Sequence, residues 1–247
     1  METLIRSIPD LPLFFSIFLF IYLTAQLVVF RHWTPNLRGI ASSCFISLSH
    51  GTPAVFLSAY ALLTHPNRGF GSPNTSLQNR VLDFSIAYFL MDLVHYLIFN
   101  PSDMLFIAHH LATIFVFGTC RYVVYHGAYA ILVLLILAEV TSLCQNVWTL
   151  SVALKQESAK AAKVYEILSP PFYAFYSIVR GFAGPWFVYE MGMFYAAGVS
   201  EHSIPRWIWV SWIVVVVSAL CVSILWIVNL WVELFRERSS KLEKKVE

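Results

Sequence analysis

The sequence predicts an all-α, polytopic membrane protein, and three observations carry that reading. Of its residues, 58% are hydrophobic and 12% charged, against about 25% charged in a soluble domain. Its mean hydropathy is +0.68. About seven apolar stretches each approach the roughly 20 residues that a helix needs to cross a hydrocarbon core about 30 Å thick. Such lengths fit helices, which satisfy their own backbone hydrogen bonds in lipid, rather than the short alternating strands of a membrane barrel.

Taken in order, the first stretch, residues 11–30, is long and is followed by no small-residue cleavage site, so it reads as a span and not a signal peptide. Residues 40–63 carry His50 and Pro53, a proline placed to kink the helix. The loop from His65 to Asn74 is rich in turn formers and reads as the most flexible connection. Residues 81–99 carry Asp83, Asp92 and His95; Asn100-Pro101-Ser102-Asp103 then forms a tight turn. The next span, residues 104–120, must therefore lie antiparallel beside the third, and it bears His109, His110 and Thr113. Residues 127–150 hold Glu139, Ser142 and Asn146, and residues 172–195 hold Arg180 and Pro185. The last span, residues 207–235, opens on Trp207, Trp209 and Trp212, as an interfacial belt would. No internal repeat is visible. Three segments follow: 1–39 with the first span, 40–235 as the main bundle, and a basic tail, 236–247.

Counting Lys and Arg on the two sides sets the orientation. One side holds Arg31, Arg38, Lys155, Lys160, Lys163 and the tail's Arg236, Arg238, Lys241, Lys244 and Lys245; the other has Arg6, Arg68, Arg80, Arg121 and Arg206. The positive-inside bias makes the C-terminus cytosolic. Lys244 and Lys245, near the end of the chain, resemble a dilysine retrieval signal, and Asn74-Thr75-Ser76 is a glycosylation acceptor on the side assigned to the lumen. Both agree with a multi-pass protein of the endoplasmic reticulum. The net charge of +2, without a basic stripe interleaved with aromatics, points away from nucleic acid. Cys44, Cys120, Cys144 and Cys221 lack metal-ligand spacing and read as small packing residues.

Ionisable groups in a span need pairing or a wet cavity. Asp92 and His95 share a helix face, as do Glu139, Ser142 and Asn146. His109 and His110 differ by about 100° around their axis, so one can face a central cavity while the other reaches sideways. By depth the set converges on the cytosolic half, with Arg180 deeper toward the lumen.

These residues resemble the TLC domain family, which includes ceramide synthases and translocation-associated proteins. The matching pieces are Ser47-Leu48-Ser49-His50, Tyr88-Phe89-Leu90-Met91-Asp92, His109-His110, Glu139-Val140-Thr141-Ser142 with Asn146, and Arg180 with Pro185. The resemblance implies a TLC domain over residues 40–235: a barrel-like bundle of six helices around a lipid-accessible cavity, here preceded by one extra span. In ceramide synthases the double histidine is followed by a His-Asp pair and a further Asp; here the corresponding stretch keeps one carboxylate, Glu139.

Three functions stay open. The first is binding of an acyl lipid, a sphingolipid or phospholipid, in the cavity for lipid homeostasis, with His50, His95, Ser142, Asn146 and Arg180 around the head group. The second is acyl transfer from acyl-CoA, with His109 or His110 as nucleophile or base and Asp92 and Glu139 assisting. In the third, the same groups are interhelical hydrogen bonds in a structural or chaperone-like protein. Adjacent histidines chelate one ion poorly, so no metal is expected, and no cofactor; acyl-CoA enters only as a substrate. Oligomeric state is not legible.

Overall fold

The computed structural model describes residues 9–64 and 69–246, with side chains as far as Ser240. Seven helices make up these residues: α1 (Asp10–Val29), α2 (Pro35–Leu63), α3 (Ser76–Phe99), α4 (Met104–Val124), α5 (Ala128–Leu154), α6 (residues 159–196) and α7 (Arg206–Val246). Arg6, His65, Arg68 and the side chains of Lys241, Lys244 and Lys245 lie outside the described residues.

Local chemistry sets the starts. Pro35 opens α2 where its missing N–H costs nothing. Thr75 and Gln78 form a reciprocal capping box on α3, with bonds of 3.2 and 2.9 Å. Asp103 Oδ1 accepts from the Phe106 N–H at the start of α4. Between α4 and α5, Tyr125 and Gly127 both take positive φ. At Gly127 a Cβ would also meet Trp212 at 3.0 Å and Ile204 at 3.1 Å, so glycine serves both the turn and the close approach of α7.

The helices alternate in direction, and their contacts close a ring in the order α2, α3, α4, α7, α6, α5 and back to α2. α1 stands outside, packed on α3 and α2. A bundle of six plus one outer helix is therefore what the chain builds. One end carries the turns at 31–34, 100–103 and 155–158, together with Arg31, Arg38, Lys155, Lys160, Lys163, Arg236 and Arg238; we call it the basic face. Toward the far face the first half of α5 leans inside the ring, touching α2, α3, α4 and α6. Its Ala128, Ala130, Ile131, Leu132 and Leu135 are buried in the main apolar core with Leu82, Ile86, Tyr195, Ile204 and Trp212. A second cluster, Phe172, Tyr173, Tyr176, Leu230 and Leu234, joins α6 to α7 with Trp148, Trp226 and Trp231 packed on it. Large apolar side chains such as Phe20, Phe56, Phe182, Trp186 and Leu225 are exposed, the surface that lipid solvates.

Three expectations are refined. First, against about seven expected spans, six of the described helices are long and apolar enough by composition to cross a membrane. The remaining one, α6, carries Lys160, Lys163, Glu166, Arg180 and Glu190 along its length. It nevertheless runs the height of the bundle, since Tyr165 bonds Glu237 near the basic face and Tyr195 donates to Phe70 O at the far one. Second, α5 is not one continuous helix: it breaks after Glu139 and restarts at Ser142. Third, the described part of the 65–74 loop is pinned. Asn74 N–H donates to Tyr125 O, Gly127 N–H donates to Ser72 O, and Phe70 packs among Tyr129, Phe187 and Phe194.

Candidate functional site

The ionisable side chains of the interior and their neighbours fall into two groups, one paired in the seams between helices and one around the break in α5. Asp92 is the centre of the first. Its Oδ1 accepts from Ser43 Oγ (3.0 Å), and its Oδ2 meets His110 Nε2 (2.9 Å) and, at 3.5 Å, the Tyr88 hydroxyl. The other nitrogen of His110 faces Phe106 O at 2.7 Å. Both partners of that ring are acceptors, so both nitrogens are called on to donate, and the imidazole is fixed across the α3–α4 seam. His95 turns away from the ring axis: its Nδ1 lies 2.8 Å from the Tyr22 hydroxyl on α1, which itself accepts from Gln26 Nε2. Asn146 Nδ2 donates to Ser47 Oγ (2.9 Å) and Ser142 O, tying α5 to α2. Toward the far face, Asp83 is held by Arg121 and Tyr122.

The second group surrounds the break in α5. His50 is fully buried, stacked on Tyr88 with ring centres 4.0 Å apart. Its Nε2 meets Ser85 Oγ at 3.1 Å, while its Nδ1 faces Glu139 Oε1 at 3.9 Å, too far for a hydrogen bond. The Glu139 carboxylate lies against Ser142 Oγ, and both approach α2 at Gly51, where a Cβ would sit 2.6 Å from Glu139 Oε2. Only glycine admits this contact. Arg180 reaches from the π-turn of α6 and donates through Nη2 to Ala138 O (2.7 Å). In an unbroken helix that carbonyl would take the Ser142 N–H, so the guanidinium supplies the donor that the break removes.

Several polar atoms here have no partner: His50 Nδ1, Thr141 Oγ1 and Arg180 Nε. His109 belongs with them. Among the described residues its ring makes no hydrogen bond and it is exposed, while Phe89 and His110 flank it and Arg180, on α6 beyond α7, acts on it electrostatically.

The sequence-derived residues therefore divide. Glu139, Ser142, Arg180 and His50 come together around the α5 break, with Asn146 one turn further along; His109 stands on α4 beside Phe89 and is linked to them only through the charge of Arg180. His110 and Asp92 form a bound pair, and His95 stands apart in the α1 seam. Asp92, expected to orient a catalytic histidine, orients His110, whose ring is fully engaged. Sequence reasoning missed Ser85, Tyr88 and Gly51 as His50 and Glu139 neighbours, and Arg121 as the partner of Asp83; charges assigned to opposite helix ends carried no pairing signal. Asn74, the glycosylation candidate, has its side chain committed: Nδ2 donates to Cys120 O (3.0 Å) and Oδ1 accepts from Ala128 N (2.9 Å). Among the described residues no group of three or more His, Cys, Asp or Glu side chains is placed to hold a metal ion.

A closed ring of apolar helices with ionisable side chains gathered inside defines a polytopic membrane protein with an intramembrane polar site. Residues 41–232 match the family model described as the TLC domain, and the chain belongs to that family. It is 61% identical over 245 residues to a TLC domain-containing protein of Arabidopsis thaliana, covering 97% of this chain and 96% of the relative. No solved structure matches it significantly.

Proposed function

We propose that the protein binds an acyl lipid of the endoplasmic reticulum membrane within the helix ring, serving lipid homeostasis, with the lipid's polar head at the α5 break. One observation carries this reading. Asp92–His110 and Asn146–Ser47 are paired, whereas His50 Nδ1, Thr141 Oγ1 and Arg180 Nε, beside the Glu139 carboxylate, have no hydrogen-bond partner among the described residues; of the buried atoms without a partner, these are the ones gathered at the break with ionisable side chains. An unpaired buried polar atom costs about 1–3 kcal/mol, and several of them around one point call for an occupant. Glu139 offers an acceptor, and Arg180 and the unpaired imidazole nitrogens offer further hydrogen-bonding sites. The leaning half of α5 closes the far end with apolar side chains, so the lipid enters from the half of the ring toward the basic face.

Acyl transfer from acyl-CoA is the second reading, favoured by the open ring of His109, which a base or nucleophile requires. Against it, the carboxylate that would orient that ring is engaged elsewhere. Mass spectrometry of lipids co-purified with wild type, Arg180→Ala and His109→Ala distinguishes these readings. Binding predicts one lipid class retained by wild type and reduced severalfold in Arg180→Ala; an acyl adduct or product formed only when His109 is present supports transfer. The same lipids in equal amount in all three would overturn the site.

A further inference from the structure

A second polar cleft lies on the basic face, where the turn after α5 meets α7. Its volume is about 540 Å³, large enough for a lipid head group, and its walls include Lys155, Tyr165, Glu166, Arg236, Glu237 and Ser240. It is distinct from the α5 break, and its chemistry is already half displayed by the protein. Lys155 Nζ stands 4.0 Å over the centre of the Tyr165 ring and 3.6 Å from Glu237 Oε1. The Tyr165 hydroxyl fixes that carboxylate with bonds of 3.0 and 3.1 Å. An aromatic face beside an anchored carboxylate is a receptor for an ammonium group, and here the chain's own lysine fills it. Arg236, by contrast, is exposed and makes no hydrogen bond or ion pair among the described residues.

Among the described residues the walls carry two cations, Lys155 and Arg236, and two carboxylates, Glu166 and Glu237, a balance that argues against a purely anionic ligand. A cation receptor and a free guanidinium in one cleft match a ligand carrying both an ammonium and a phosphate. Ile167 and Phe235, next in sequence to the cleft residues Glu166 and Arg236, are exposed apolar side chains at the same level and can flank acyl chains. We propose that this cleft binds the phosphocholine or phosphoethanolamine head of a membrane phospholipid, whose ammonium displaces Lys155 from Tyr165 and Glu237 while its phosphate takes Arg236. Lys155 is then a built-in competitor.

The test is native mass spectrometry of the full chain in detergent, titrated with phosphatidylcholine, phosphatidylethanolamine and phosphatidylglycerol of matched chains. Wild type should bind the two zwitterionic lipids at least severalfold more than phosphatidylglycerol. Glu237→Gln should cut that binding about tenfold, and Lys155→Met should raise it. A preference for phosphatidylglycerol in wild type, or lost binding in Lys155→Met, would overturn the proposal in favour of an anionic-lipid patch. Binding abolished by Arg180→Ala but untouched by Glu237→Gln would also overturn it, while leaving the axial site standing; the converse supports this cleft as a site separate from the axial one.

Discussion

A histidine inside a bilayer must be paired or wet, and the adjacent His109 and His110 meet that demand in different ways. His110 is clamped between Phe106 O and Asp92, so its contribution is to the α3–α4 seam. His110→Ala removes one bond and leaves a buried carboxylate with weaker partners. Hydrogen bonds in membranes average about 0.6 kcal/mol, and the unmet carboxylate adds to that, so a loss of about 1–2 kcal/mol is expected, read as a lower melting temperature in detergent. His109→Ala removes no bond and should melt with wild type while reducing lipid occupancy; the reverse pattern would exchange the two roles. Gly51 gives a sharper test. Gly51→Ala places a methyl 2.6 Å from Glu139 Oε2, so α2 or the carboxylate must move. Axial lipid occupancy should fall severalfold although no polar group is deleted, and unchanged occupancy would show that the α2–α5 approach is slack. The divergence of the two histidines was legible from the helical angle alone. Which of them would find Asp92 was not, because that depends on the crossing of α3 and α4, set by side chains far along both helices.

Hydropathy located α1 through α5 and α7 because each is a long apolar run, and their ends differ from the sequence-derived ones by a few residues or, where polar turns continue the helix, by more. It placed a span within α6, at 172–195, although Arg180 and the Pro, Tyr, Ser and Gly residues around it keep that helix below the composition of a membrane span, and it missed the break in α5. The break in α5 leaves no mark on hydropathy, since Glu139-Val140-Thr141-Ser142 contains neither Gly nor Pro. It is sustained by tertiary partners, Arg180 at the Ala138 carbonyl and Gly51 beside Glu139. The turn between α4 and α5 makes a comparable point about Asn74. Both functional ends of its amide are used, at Cys120 O and Ala128 N, and a glycan on Nδ2, which leaves one N–H for Cys120 O, would have to fit where that part-buried amide packs against the α4–α5 turn. Chain expressed in eukaryotic cells should therefore keep its gel mobility after peptide-N-glycosidase treatment, and Asn74→Ala should lower the melting temperature. A glycosidase-dependent shift would mean that the sequon is modified before this loop closes.

At the scale of the whole molecule, seven traversals put the two described chain ends on opposite faces of the bundle, and the uneven distribution of charge chooses between the two orientations. Arg31, Arg38, Lys155, Lys160, Lys163, Arg236 and Arg238 gather on one face, against Arg80, Arg121 and Arg206 on the other. Of the latter, Arg121 is neutralised by Asp83, and Arg80 lies 3.6 Å from Asp10. Lys155 on the basic face is likewise paired, with Glu237, so the contrast rests on the count of Lys and Arg, and the positive-inside bias predicts that the basic face lies in the cytosol. The phospholipid cleft would then open at the cytosolic leaflet, and the axial site would fill from the same side. In sealed microsomes, protease should remove a tag from the C-terminus and spare one at the N-terminus, with detergent making both accessible. If α6 failed to cross, its two ends would share a face and both tags would respond alike. The protection pattern therefore tests, in one measurement, whether the contacts of Tyr165 and Tyr195 at opposite ends of α6 outweigh its modest hydropathy.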